Sequence, residues 1–244
     1  MKDLRTIFLV LLSVVVCCSC SPEPVFRLEA INGNSTWYQG VEYVQSTRQD
    51  VVVTTAYYRH IDDYAILDVE VANYSDSVLW VDPASFRYTA YKSKSGSEYY
   101  IAGGMAMDPE VQILEIDKAI SRERAGERTA RFWDVMDVTV SLAEAIVDTE
   151  ETEGERVRES QEREERAVER AVRKQEHKYE MNSLQSHRQI WELDALRKTD
   201  LFPDEYIRGQ VYLPLVQDAT SIEVEIPAGE TLHTFRYRQH KFKP

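Results

Sequence analysis

Residues Ala65–Tyr91, AILDVEVANYSDSVLWVDPASFRYTAY, decide how the chain folds. Ala65, Leu67, Val69 and Val71 fall on one side of an alternating pattern, and Asp68 and Glu70 fall on the other. A period of two predicts a half-buried strand in an antiparallel sheet. Asn73-Tyr-Ser-Asp76 and Asp82-Pro83 are turn formers, so the stretch reads as strand, turn, short strand, turn, strand.

Strands flank it on both sides. Val51–Arg59 is β-branched and aromatic, and His60-Ile-Asp-Asp63 turns it into the central stretch. Ser95-Gly96 marks a further turn before Glu98–Ile101, with Gly103-Gly104 read as a hinge. Beyond Pro203, Tyr206–Leu213 alternates, Ile222, Val224 and Ile226 oppose Glu223 and Glu225, and Pro227–Glu230 turns into Leu232–Arg238. The basic end, Arg236–Lys243, reads as charge protecting an edge strand from pairing with neighbours, with contact to lipid headgroups or an anionic glycan as the alternative.

Between these strand regions the pattern is helical. Asp108-Pro109-Glu110 is a helix start, with a capping carboxylate, proline at the first position and acid in the first turn. A first helix is expected to run to about Ala125 and a second over 128–147. Phe132, Trp133, Val135, Met136, Val140, Leu142, Ala143, Ile146 and Val147 surround much of the second, which predicts burial. After a polar hinge at 148–154, a third helix is expected as far as Lys198. Its first half is rich in Glu and Arg at i,i+4 spacing, as in Glu159–Arg163 and Glu169–Arg173. A solvated charged face accounts for that half better than a coiled-coil arm does.

The N-terminus reads as an export signal. Lys2 and Arg5 precede Ile7–Val16, a ten-residue uncharged stretch too short to span a bilayer. The segment Cys17-Cys18-Ser19-Cys20 that follows resembles the lipid-attachment site of bacterial lipoproteins, in which a cysteine after a small residue is acylated. Cys20 is the expected acceptor because Ser19 precedes it, with Cys17 and Cys18 as alternatives. The resemblance implies an anchor in the cell envelope, and Ser21 after the cysteine implies the outer membrane. All 3 cysteines lie in this segment, so acylation at Cys20 would leave the mature chain without a disulfide or a cysteine-based metal site. The formal charge of −13 argues against a nucleic-acid partner.

A second resemblance rests on Leu196-Arg-Lys-Thr-Asp-Leu-Phe-Pro203 followed by Gly209-Gln-Val211-Tyr212-Leu-Pro214, and on Val69–Phe86 with its Asn-x-Ser-Asp and Asp-Pro-x-x-Phe elements. These are similar to patterns in immunoglobulin-like (telokin-like) domains of uncharacterised bacterial lipoproteins, with Asp204 where those have glycine. The implied fold is α+β: an immunoglobulin-like antiparallel β-sandwich interrupted by a long helical-hairpin insertion. The stretches 51–105 and 200–240 together come to about the ~100 residues of one such sandwich. The expected organisation is a signal peptide over 1–19, a tether with at most one edge strand over 20–50, sandwich strands over 51–105, helices over 106–199 and strands again over 200–240.

Catalytic signatures are sparse. His60, His177, His187, His233 and His240 form no HxH or HExxH spacing, and neither GxSxG nor SxxK occurs. Asp62-Asp63 reads as a solvated turn rather than half of a carboxylate site, and Trp133 and Trp191 read as core. No catalytic residue, metal or cofactor is assigned. Asp76-Ser77-Val78 matches a triplet that some bacteria O-glycosylate, making Ser77 a candidate acceptor in a predicted turn. The expected function is a non-catalytic envelope lipoprotein, a binding or scaffolding module with a protein partner or a glycan, held to the membrane by its lipid. The alternatives are an envelope hydrolase with an unrecognised Asp/Glu site and a structural subunit of an envelope assembly.

Overall fold

The computed structural model describes residues 24–31, 34–147 and 153–242. The signal segment, with Cys17, Cys18 and Cys20, lies outside the described residues, as do the side chains of Trp133, Asp134, 137–157 and Glu159, and with Glu159 the expected Glu159–Arg163 pair. The chain is an α+β mixture dominated by antiparallel sheet. It divides into two compact units: one holds the strands, up to Met107 and from Lys198 onward, and the other holds Asp108–Arg197.

Twelve strands occur among the described residues: β1 Val25–Ala30, β2 Asn34–Tyr38, β3 Val41–Arg48, β4 Val51–Ile61, β5 Tyr64–Asn73, β6 Leu79–Val81, β7 Arg87–Lys94, β8 Ser97–Met105, β9 Thr199–Leu201, β10 Tyr206–Pro214, β11 Ser221–Ala228 and β12 Thr231–Phe242. One five-stranded sheet runs β1-β12-β11-β7-β8 and the other β10-β5-β4-β3-β2, while β6 and β9 pair separately. The pairings are antiparallel, and two-residue turns at Gln39-Gly40, Gln49-Asp50, Asp62-Asp63 and Ser95-Gly96 join neighbours. The first residue of each turn has a positive φ, as does Gly40 at +80°, the backbone twist that tight hairpins require.

Hydrogen bonds from one sheet to the other show that the two face each other. Thr55 Oγ1 on β4 meets the Tyr237 hydroxyl on β12 at 2.6 Å, and Ser46 Oγ on β3 meets His233 Nδ1 at 3.0 Å. Val53, Leu67, Val69, Val71, Val224, Ile226 and Phe235 are buried around these bonds. Each such side chain contributes roughly 1.5–3 kcal/mol through removal from water.

The central stretch gives β5, β6 and β7 with the turns where the sequence puts them. Asn73, fully buried at the end of β5, ties distant segments together. Its Nδ2 donates to Ser77 O at 2.7 Å and to Leu201 O at 3.0 Å, and its Oδ1 accepts from Ser75 N and Oγ at 3.0 and 2.7 Å. Its backbone N–H donates to Glu205 O, and its carbonyl accepts from Asp204 N. Asp204 has φ +63°, a left-handed conformation that aspartate tolerates and that suits glycine, the residue the resemblance places there. Asp82 caps the one-turn helix Pro83–Ser85 by accepting from Ala84 N, which sets the buried Phe86.

Several expectations are corrected. Within 20–50, expected as a tether, residues 25–48 supply three strands, two of them at the outer edges of the two sheets. Gly103-Gly104 is not a hinge but part of β8. A Cβ at Gly103 would lie 3.0 Å from Tyr88 O, and one at Gly104 would lie 3.2 Å from the Tyr88 ring, so the close approach of β7 favours glycine at both. β12 is interior, between β1 and β11, so its basic residues protect no edge.

The helices differ too. One helix, α1, spans Pro109–Val147 without a break at Gly126, and α2 spans Glu153–Gln189. A glycine mid-helix costs only about 1 kcal/mol, which flanking helix formers absorb. α2 ends in a single π-helical turn, Ile190–Asp194, after which Ala195 is extended, short of the expected Lys198. Phe132, Val135 and Met136 are exposed rather than buried. Polar contacts from α1 to α2 and to the segment after it form a ladder: Glu110 with Arg197 at 2.6 and 2.7 Å, Asp117 with Arg188 at 2.8 Å, and His177 between Glu123 at 2.5 Å and Glu127 at 3.1 Å.

Asn73→Ala leaves two carbonyls and the Ser75 N–H without their partner. Chemical denaturation should show a loss of roughly 2–4 kcal/mol, and a loss under 1 kcal/mol would remove Asn73 from its structural role.

Candidate functional site

β1, the β2–β3 hairpin, β4 and the end of β12 enclose a cleft of about 380 Å³. The Gln39-Gly40 turn brings Trp37 opposite Glu42 across the hairpin. On β4 the pairing shifts register between Tyr57 and Arg59, leaving Tyr58 as an extra residue, so Tyr57 and Tyr58 both line the cleft. Bulges of this kind re-aim side chains and recur beside functional sites. β12 contributes His240 and Phe242. Trp37 is 65% exposed, and Tyr58 and Phe242 are each 52% exposed, so three large rings stand open to solvent around one concavity.

The polar groups are arranged around these rings. Glu29 Oε2 lies 2.8 Å from His240 Nε2. Glu42 Oε2 accepts from the Ala30 N–H at 3.1 Å, and the Tyr57 hydroxyl donates to the Phe26 carbonyl at 2.7 Å. Burial pushes the Tyr57 phenol up to about 12, partly offset by the Arg27 charge, so it remains a neutral donor at pH 7. Burial also raises the Tyr237 phenol, against the hydrogen bond from Thr55. Arg27 is exposed at the cleft and has no hydrogen-bond or ion-pair partner among the described residues. Stacking faces with a few fixed donors and acceptors equip the cleft to hold a ligand.

The residues singled out from sequence are scattered. Ser77 is exposed in its turn, with its carbonyl held by Asn73. Asp62 and Asp63 form an exposed hairpin turn. His60 packs edge-on to Phe26, His177 belongs to the helical ladder, and His233 is buried between Thr231 and Ser46. Only His240 reaches the cleft. Among the described residues no group of three or more His, Cys, Asp or Glu is placed to hold a metal ion. Trp37 and Tyr58 carry no sequence motif of their own, and Phe242 lies in the basic end Arg236–Lys243.

His177 and His233 titrate in opposite senses. The Glu123 hydrogen bond and the Glu127 charge raise His177, so its stabilising contribution is complete below its unfolded value near 6.5 and disappears as pH rises through the higher folded value. Burial lowers His233, helped by the Arg48 charge, so its contribution is present above about 6.5 and disappears as pH falls through the lower folded value. Denaturation between pH 5 and 8 should therefore show His177→Gln destabilising most at the acid end and His233→Gln most at the neutral end. Identical pH profiles for the two variants would refute the assignment. Compared with protein-family models, curated proteins and solved structures, the chain matches none, so the cleft is interpreted from its own residues.

Proposed function

We propose that this protein is a non-catalytic, lipid-anchored component of the bacterial cell envelope that binds its ligand in the aromatic cleft. The observation that carries the proposal is the convergence of Trp37, Tyr58 and Phe242, all exposed, on one concavity. Exposed large rings gathered at a single site mark ligand or partner surfaces, whereas isolated ones need no explanation. Both carboxylates of the cleft are already engaged, Glu29 by His240 and Glu42 by a backbone N–H, which favours recognition over acid–base chemistry.

On this proposal the two facing sheets are an immunoglobulin-like sandwich, and Asp108–Arg197 is a helical insertion between two of its strands. Antiparallel pairing, inter-sheet hydrogen bonds and the division into units support it. The anchor is the acylated Cys20, and among the described residues no helix is long and apolar enough to cross a membrane. The two or three acyl chains of a lipoprotein suffice for stable attachment, since each buried methylene contributes about 0.8 kcal/mol.

Mass spectrometry of the mature N-terminus tests the anchor, with a diacylated thioether on Cys20 as the expected result. Cys20→Ala should release the protein from washed membranes, while changing Cys17 and Cys18 should not. An unmodified terminus beginning after residue 22 would overturn the anchor.

A further inference from the structure

The exposed rings of the cleft belong to a larger apolar surface at one end of the β unit. β3 and β4 run antiparallel with Tyr43 opposite Ala56, so the Gln39-Gly40 turn and the Asp62-Asp63 turn lie at the same end of their sheet. The Tyr57 hydroxyl on the Phe26 carbonyl puts the start of β1 at that end, and Val25 stands opposite Phe242, the last residue of β12. Val25, Trp37, Tyr38, Tyr58, Ile61 and Phe242 are all exposed there. Only Trp37, Tyr58 and Phe242 line the cleft, so a small ligand filling it would leave the other three in water. A spread of exposed apolar groups calls for an equally extended partner.

The short link to the anchor selects that partner. With Cys20 acylated, the five-residue step from Cys20 to Val25 reaches no more than ~18 Å even when fully extended. The start of β1 is therefore held within that distance of the headgroups, and the apolar end lies nearer the bilayer than the opposite end of the unit. Tryptophan and tyrosine favour the membrane–water boundary, where the ring is buried and its polar edge stays wet. Arg27, Arg59 and Lys241 are exposed at the same end without a carboxylate partner among the described residues, which leaves them available to lipid phosphates. The exposed Asp62-Asp63 turn and the formal charge of −13 oppose attraction to anionic lipid, so the contact rests on ring insertion rather than on charge. Tethering makes even a weak insertion effective, because the surface is always within reach.

Resting on the acylated Cys20 and on the cleft as the binding site, we propose that this end of the β unit docks on the phospholipid surface of the bilayer that holds the anchor, with Trp37, Tyr58 and Phe242 at headgroup level. The mature acylated chain is purified in detergent and reconstituted into phosphatidylcholine vesicles whose acyl chains carry bromine either near the headgroup or near the chain end. Co-flotation with the vesicles reports the anchor, and bromine quenching of tryptophan fluorescence reports docking. The expected result is flotation together with quenching that is stronger for the shallow bromine and is lost in Trp37→Phe, a variant with an unchanged melting temperature. Tyr58→Ser combined with Phe242→Ser should weaken the quenching of Trp37 without releasing the protein, because the lipid still holds it. Flotation with quenching that Trp37→Phe leaves unchanged overturns the docking and turns the cleft toward a glycan or a protein instead. A chain that does not float overturns the anchor, and the docking falls with it.

Discussion

The β unit depends on the closure made at Asn73. β5 and β10 are far apart in sequence yet pair along their whole length, from Tyr206 opposite Ala72 to Pro214 opposite Tyr64. The Asn73 amide fixes the end of that ladder. It satisfies the turn after β5 with its oxygen and reaches Leu201, 128 residues away in sequence, with its nitrogen. Both donors and both acceptor positions of the amide are used, so the group is buried without an orphaned polar atom. The β6–β9 pair and the Asp82 cap lie in the same neighbourhood of the chain, with Lys198 3.2 Å from Asp82. Joining Leu79–Val81 to Thr199–Leu201 brings the strands before the helices and those after them into one unit.

Closure explains how the cleft is assembled. With β10, β11 and β12 returned to the sheets, the last strand reaches β1, and the register places Arg27 opposite His240 and Val25 opposite Phe242. The cleft walls thus come from near the two ends of the described chain. Tyr57 and Glu42 take up the Phe26 carbonyl and the Ala30 N–H on the outward side of β1, which blunts the edge against strand addition. In the other unit the helices are bridged by charge. His177 has a carboxylate within hydrogen-bond distance of each ring nitrogen, an arrangement satisfied by the doubly protonated imidazolium.

The parts of the fold legible in the sequence are those where one local rule acts alone. β5, β10 and β11 alternate, and Asp108-Pro109-Glu110 caps α1, so period and capping chemistry suffice. β2 and β3 are not legible because their turns use Gln39 and Gln49 at positive φ, positions that sequence rules assign to Gly, Asn or Asp. Gly126 does not mark a boundary because a lone glycine weakens a helix without ending it, and Gly103-Gly104 does not mark a hinge because the preference for glycine there arises from Tyr88 on the neighbouring strand. The cleft was not legible for the same reason: Trp37, Tyr58 and Phe242 meet through sheet register, which no short window of sequence contains.

If the β unit closes on itself through Asn73 and the β5–β10 ladder, it needs no helix to complete its core. The direct measurement replaces 108–197 with a short flexible linker and follows the product by far-ultraviolet circular dichroism and a thermal melt. The account predicts a soluble protein with a β-type spectrum and a single cooperative transition. An insoluble product, or one that melts without cooperativity, would contradict it and show that strands and helices share one core.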